Sequence, residues 1–188
     1  MHMKRQVLFV QGGGENVHAD WDDKLVESLR SELGPNYDIR YPRMPNEDDP
    51  RYVTWKAALE KELAVLNDGA IIVGHSIGGT ILINALAEHS PERELGAIVL
   101  VATPFVGEGG WQSEGWKPQR GLGEKLPRGV PVFLFHGLAD DTAPPTHAEL
   151  FSQAIPQAHL CLLPGRDHQL NNDLSEVAAV IRSLRAES

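Results

Sequence analysis

Two side chains and an acidic pair stand in settings that nucleophilic catalysis requires: Ser76, His168 and Asp140-Asp141. A serine hydroxyl is a weak nucleophile at neutral pH and needs a base within hydrogen-bond reach. That base is normally an imidazole, itself oriented by a buried carboxylate. Ser76 lies at the centre of Gly74-His75-Ser76-Ile77-Gly78, directly behind the apolar run Ala70-Ile71-Ile72-Val73. This reads as a strand turning sharply into a helix with the serine at the apex, a nucleophile elbow. The glycines remove side chains that would collide, and the serine is expected to hold a strained backbone conformation. The acidic pair belongs to His136-Gly137-Leu138-Ala139-Asp140-Asp141-Thr142-Ala143-Pro144, behind the apolar run Val132-Phe133-Leu134-Phe135. His168 closes Pro164-Gly165-Arg166-Asp167-His168, behind His159-Leu160-Cys161-Leu162-Leu163. In parallel α/β sheets ligands bind outside the carboxyl ends of strands, so all these groups converge on one rim. The plain alternatives are a helix-capping serine and a surface-loop histidine. His75 and His136 read as structural, one an elbow neighbour and the other a strand-end hydrogen-bonder.

Acyl transfer also needs donors for a developing oxyanion. The Ile77 amide, first in the helix behind the elbow, is one; a helix N-terminus favours negative charge. The loop behind the first strand, Gln11-Gly12-Gly13-Gly14, is the expected source of the second. That run is not a dinucleotide fingerprint, because position 17 is Val, and no Gly-Lys-Ser/Thr follows to make a phosphate loop. A zinc site at His136, His147 and His168 matches no ligand spacing.

These loops need a scaffold, and the sequence supplies one. Short apolar runs alternate with helix-period segments throughout, the pattern of α/β architecture with a parallel sheet. Strands are expected near 5–10, 37–41, 70–74, 97–102, 131–136 and 159–163. Trp21, Leu25, Leu29 and Leu33 recur every four residues in a first helix, with Asp20 as its N-cap and Gly34-Pro35 as its stop. A second helix runs from Tyr52 to Leu66 with Trp55, Leu59 and Leu63 on one face. The third runs from the elbow to His89, the fourth is capped by Thr146, and the fifth spans Leu174 to Leu184. From Thr103 to Pro127 the chain is glycine-rich, without clear period, and carries Phe105, Trp111 and Trp116. Connections that long are usually functional or disordered; these rings either wall an acyl pocket, as a small lid, or cover the end of the sheet.

The expected product is one domain over 1–188: a three-layer α/β/α sandwich on a mostly parallel six-stranded sheet, with a lid-like insertion around 103–127. A formal net charge of -9, with no basic stripe, argues against a nucleic-acid partner. No apolar run approaches the roughly 18 residues that cross a bilayer, and the first strand is too short for a signal peptide's apolar region. Glu47-Asp48-Asp49 reads as a solvated loop. The single cysteine, Cys161, suits a reducing cytoplasm and reads as an inert thiol in a buried strand.

The order Ser76, Asp140, His168 resembles the serine, acid, histidine order of the α/β-hydrolases. The resemblance covers essentially the whole chain. It is carried by Gly-His-Ser-Ile-Gly-Gly at 74–79, His-Gly-Leu-Ala-Asp-Asp-Thr-Ala-Pro at 136–144 and Gly-Arg-Asp-His at 165–168. The chain looks like a near-minimal member that lacks the first two of the family's usual eight strands. The resemblance places the acid four residues after the histidine of His-Gly-x-x-Asp, which selects Asp140 over Asp141. It also sets Gln11-Gly12 where the family often has His-Gly, making Gly13 the second oxyanion donor. It implies a carboxylesterase-like serine hydrolase in the cytoplasm: Ser76 attacks, His168 takes its proton, Asp140 holds the imidazole, and water deacylates the enzyme. No metal or organic cofactor is implied, and the partner is a small acyl substrate such as a short-chain ester. A thioesterase or peptidase could use the same residues, and a binding protein could keep the scaffold without the chemistry.

Overall fold

Strands covered on both faces read as continuous apolar runs. In the computed structural model, which describes residues 3–184, six strands pair in parallel. They are β1 (Arg5–Val10), β2 (Tyr37–Arg40), β3 (Ala70–His75), β4 (Leu95–Val101), β5 (Val132–Gly137) and β6 (His159–Leu163), in the order β2-β1-β3-β4-β5-β6. Of these, β1, β3, β4 and β5 are runs of that kind. The chain steps one way from β1 to β2, then crosses back to lay β3 on the other side of β1. The sheet's switch point therefore lies between β1 and β3, where an open α/β sheet forms its crevice.

Among the described residues six helices flank the sheet: α1 (Asp22–Leu33), α2 (Tyr52–Ala64), α3 (Ile77–Glu88), α4 (Leu122–Lys125), α5 (Thr146–Ala154) and α6 (Ser175–Ser183). Strand residues alternate between faces, and the register keeps each face together. Leu8 pairs with Ile72 and Ile72 with Ile98; this face packs on Trp55 and Leu59 of α2, Ile81 and Leu82 of α3, and Phe151 of α5. Val7 pairs with Ile71 and Phe9 with Val73; the opposite face packs on Leu25 and Leu29 of α1 and on Val177 and Ile181 of α6. The result is the expected three-layer sandwich. Among the described residues no helix is long and apolar enough to cross a membrane.

Four local expectations fail, each for a physical reason. A wide turn over Val17–Trp21, closed by the Asp22 amide on the Val17 carbonyl, precedes α1 and shifts its register. Trp21 is consequently 56% exposed, Asp20 caps nothing, and Asp22 occupies the inward position on the stripe of Leu25 and Leu29. Thr146 is likewise no cap: Pro145 precedes α5 and no side chain caps it. Cys161 and its strand are only partly buried, since β6 is an edge strand with β5 as its one neighbour. Glu47 is half-buried and fully engaged, as described below, whereas Asp48 and Asp49 are exposed.

The 103–127 connection contains the short helix α4, which its lack of period concealed. It is tied to the body at several points. Thr80 donates to the Pro104 carbonyl (2.5 Å), the Phe105 amide donates to His147 Nδ1 (2.7 Å), and the Gln119 amide donates to Asn84 Oδ1 (2.8 Å). Leu122 and Leu126 are buried in the core on the α2/α3 side.

Candidate active site

The elbow is built as its glycines require. A methyl group on Gly78 would collide with the Gln11 carbonyl oxygen, and one on Gly74 would lie 2.6 Å from Gly79 Cα. Side chains there would force β1, β3 and α3 apart. Ser76 sits at φ 52°, ψ -134°, a conformation that costs a non-glycine residue on the order of 1–3 kcal/mol. Its amide donates to the Val101 carbonyl (2.9 Å), and its carbonyl accepts from the Gly79 amide (2.9 Å). The strain is thus enforced from β4 and from the first turn of α3.

His168 and Asp140 meet that serine. His168 Nδ1 lies 2.8 Å from Asp140 Oδ2, and Nε2 lies 2.9 Å from Ser76 Oγ. An ionised carboxylate only accepts, so Nδ1 carries the proton and Nε2 presents a lone pair to the serine O–H. Asp140 is buried, and its other oxygen accepts from the Thr142 and Ala143 amides, each at 2.9 Å. His136 Nε2 lies 3.2 Å from Asp140 Oδ2 and donates to the Ala143 carbonyl at 2.8 Å. Burial alone would raise the Asp140 carboxyl; hydrogen bonds from His136, His168 and Ala143 outweigh it and hold the group well below the carboxylate range. Asp141 is exposed. His136, read from sequence as a strand-end hydrogen-bonder, also contacts the acid.

The loop carrying His168 is held by its own side chains. Arg166 donates to the carbonyls of Leu170 (2.9 Å) and Asp173 (3.2 Å) and pairs with the carboxylates of Asp173 and Glu176. Leu170, Asn171 and Asn172 follow with φ of 47°, 54° and 56°. Three consecutive left-handed residues are unusual outside glycine, though asparagine tolerates the region. The Ala139 amide donates to the Arg166 carbonyl (2.9 Å), which staples the loop of Asp140 to the loop of His168.

The loop after β1 lies against the elbow. A methyl group on Gly12 would be 3.2 Å from Ser76 Cβ, and one on Gly13 would be 2.9 Å from Ile77 Cγ2. The Gly12 amide donates to Asp22 Oδ2 (2.7 Å) and the Gly14 amide to the Glu47 carbonyl (2.6 Å). Between them, the Gly13 N–H donates to no protein group among the described residues, nor does the Ile77 N–H at the start of α3. Buried Gln11 fixes the loop from beneath, donating to Glu47 Oε2 (2.7 Å) and accepting from the Met44 amide (2.8 Å). Glu47 Oε2 also accepts from the His18 amide (2.9 Å). Glu47 is therefore a strut of this loop, a role its acidic neighbours in sequence concealed.

Behind the site lies a second Asp–His pair. His75 Nδ1 is 2.9 Å from Asp22 Oδ2, and His75 Nε2 is 3.0 Å from the His168 backbone oxygen. Asp22 Oδ1 accepts from Gln169 Nε2 (3.1 Å). The sequence holds one signal for Asp22: it stands three residues before Leu25, a spacing that can share a helix face.

The three aromatic rings of the 103–127 connection each pack on another ring. Phe105 meets Phe151 edge-on at 5.0 Å, Trp111 meets His147 at 5.4 Å, and Trp116 stacks on Tyr52 at 4.3 Å. A groove of about 1110 Å³ runs between α4 and α5 past Val130 and Pro131, at the amino end of β5 and so at the far end of the sheet from Ser76. Among the described residues no group of three or more His, Cys, Asp or Glu could hold a metal ion.

Known proteins extend this description. The chain is similar in structure to the ydeN gene product from B. subtilis, with a TM-score of 0.76 and 20% identity, covering 96% of this chain and 98% of that one. It is also similar to esterase PE8 (TM-score 0.66, 18% identity, 97% and 94% covered). Est1E from Butyrivibrio proteoclasticus gives a TM-score of 0.64 at 17% identity, with 97% and 87% covered. At these identities the likeness is one of fold. No curated protein sequence matches the chain. Residues 7–184, from β1 to the end of α6, match the alpha/beta hydrolase family, and the chain belongs to that family.

Proposed function

We propose that this protein is a serine hydrolase that cleaves ester-type acyl bonds through Ser76, His168 and Asp140. The observation that carries the reading is the continuous relay from Asp140 Oδ2 to His168 (2.8 Å) and from His168 Nε2 to Ser76 Oγ (2.9 Å). Membership in a family of hydrolases supports hydrolysis in general. The neighbours named as esterases incline the reading towards esters.

In the proposed cycle His168 Nε2 takes the Ser76 proton as Oγ attacks the acyl carbon. Asp140, kept ionised by its donors, stabilises the imidazolium that forms. The Gly13 and Ile77 amides receive the developing oxyanion; such donors act strongly because they are fixed before charge develops. His168 then protonates the leaving alcohol, and water enters by the same route to release the acid. The substrate is a small acyl ester.

A fluorophosphonate probe tests this directly. Labelling of the wild type that is lost in Ser76→Ala and His168→Ala is the expected result, followed by Ser76-dependent turnover of p-nitrophenyl esters. A folded wild-type protein that takes no label would leave the scaffold as a binding protein and end the hydrolase reading.

A further inference from the structure

We infer that Asp22 and His75 form a buried carboxylate–imidazolium pair that fixes the oxyanion loop and the His168 backbone together, and so act as positioning residues for acyl transfer at Ser76. The inference rests on the function proposed above and concerns residues that never touch substrate.

Two oxygens face the His75 ring, one at each nitrogen. His75 Nδ1 meets a carboxylate oxygen at 2.9 Å and Nε2 meets a backbone carbonyl oxygen at 3.0 Å. Both are acceptors only, when the carboxylate is ionised. A neutral imidazole has one N–H, so one of its nitrogens would turn a lone pair towards an oxygen. Only the doubly protonated ring satisfies both contacts. His75 is 2% exposed and Asp22 0%, so an unmatched partner would be costly.

The charged groups around the ring agree. Asp22 faces it from α1, and Asp140 acts on it from the loop after β5. The His168 ring, from the loop after β6, stands at 5.2 Å between centroids. Burial would push the His75 imidazole down, but the Asp22 carboxylate, the His168 carbonyl and Asp140 together raise it above its ordinary value. Asp22 is the mirror case: burial would raise its carboxyl, and His75, the Gly12 amide and Gln169 bring it down.

The pair's reach gives it a function. Asp22 Oδ2 receives both the His75 N–H and the Gly12 amide, and Oδ1 receives Gln169, the residue after His168. One carboxylate therefore ties β1's loop, the elbow and the base loop, and His75 adds a direct bond to the His168 carbonyl. With the Gly12 and Gly14 amides held, the Gly13 amide between them is left without a protein acceptor among the described residues. Misplacing either loop by an ångström would cost rate without touching the three reacting side chains.

Side-chain ¹⁵N–¹H spectra of the wild type at pH 7, with the His75 ring assigned through its own backbone resonances, test the protonation state. Protons on both ring nitrogens are expected; a neutral His75 ring at pH 7 overturns the inference. This readout holds whether or not Ser76 reacts, so failure of the hydrolase reading would show separately, as a wild type that takes no fluorophosphonate. In the labelling arm, Asp22→Asn and His75→Gln should each slow Ser76 labelling about 10- to 100-fold, the loss of one or two hydrogen bonds to charged groups. The wild-type rate should also fall at alkaline pH, where His75 loses its proton, and this limb should be missing in His75→Gln. Labelling at wild-type rate in both folded variants would refute the positioning role. If neither variant folds, the wild-type spectra and the alkaline limb decide.

Discussion

Two Asp–His pairs lie side by side in this molecule, made of the same groups at nearly the same distance. Asp140 to His168 is 2.8 Å and Asp22 to His75 is 2.9 Å. The difference lies on the far nitrogen. That of His168 meets a hydroxyl, a partner that can give up a proton, while that of His75 meets a carbonyl, which can only accept one. Exposure follows the same line: the His168 side chain is 17% exposed and the His75 side chain 2%. An imidazole becomes a base where a lone pair is left facing a donor and a path for substrate. It becomes a fixed bracket where both nitrogens are saturated and sealed. Residue type and a neighbouring carboxylate do not separate the two roles; the second acceptor does.

The largest test of this contrast removes the charge from each acid in turn. Asp140→Asn should lower kcat by about 10⁴, because an amide no longer enforces the tautomer that turns Nε2 towards Ser76. Asp141→Asn, one residue away and exposed, should stay within about twofold of wild type. A crippled Asp141→Asn beside an active Asp140→Asn, measured with one p-nitrophenyl ester, would reverse the assignment of the acid. Asp22→Asn should fall between, well short of 10⁴, as befits a bracket.

Gly13→Ala sharpens the comparison from the side of the oxyanion. A methyl group there would stand 2.7 Å from Pro50 Cγ and 2.9 Å from Ile77 Cγ2, so the loop must move away from the elbow. Displacing one oxyanion donor costs on the order of 10² in kcat. The variant should keep its Ser76–His168 contact, and hence some labelling, while losing turnover. Unchanged kcat in a folded Gly13→Ala would remove Gly13 from the oxyanion role.

The same contrast explains what could be read in advance. Strands, layers and the gathering of Ser76, Asp140 and His168 follow from features that are local in sequence: apolar runs, a glycine-flanked serine and loops behind strands. The bracket is not local. Asp22 and His75 are 53 residues apart, and Gln11 reaches Glu47 across 36. Each looked ordinary alone, Asp22 as one of several acids and Glu47 as part of an acidic loop. Only the wide turn at 17–21, which no periodicity encodes, rotates Asp22 inward and Trp21 out. The one trace in the sequence is spacing: Asp22 and Leu25 stand at positions i and i+3, which can share a helix face.

The smallest expected effect is on stability alone, and its sign follows from the two shifts. His75 is raised above its ordinary 6.5 on folding, so its contribution is complete below that value and fades as pH rises through the folded one. Asp22 is lowered from its ordinary 3.8, so its contribution is complete above that value and fades as pH falls through the folded one. Both members are charged together in the interval between. Urea unfolding of wild type and His75→Gln should therefore differ most between about pH 4 and pH 6.5, and the gap should narrow on either side. Cys161, whose thiol burial raises, is no part of this, so unfolding runs under reducing conditions report the pair. Asp140→Asn gives a second case on the acid side: the Asp140 carboxyl is held below its ordinary range, so its stability gap should close as pH falls. A His75→Gln gap that stays flat from acid to alkaline pH would mean that the ring binds its proton no more tightly folded than unfolded, and one that shrinks as pH falls below the ordinary 6.5 would mean a ring held neutral; either result would end the charged bracket.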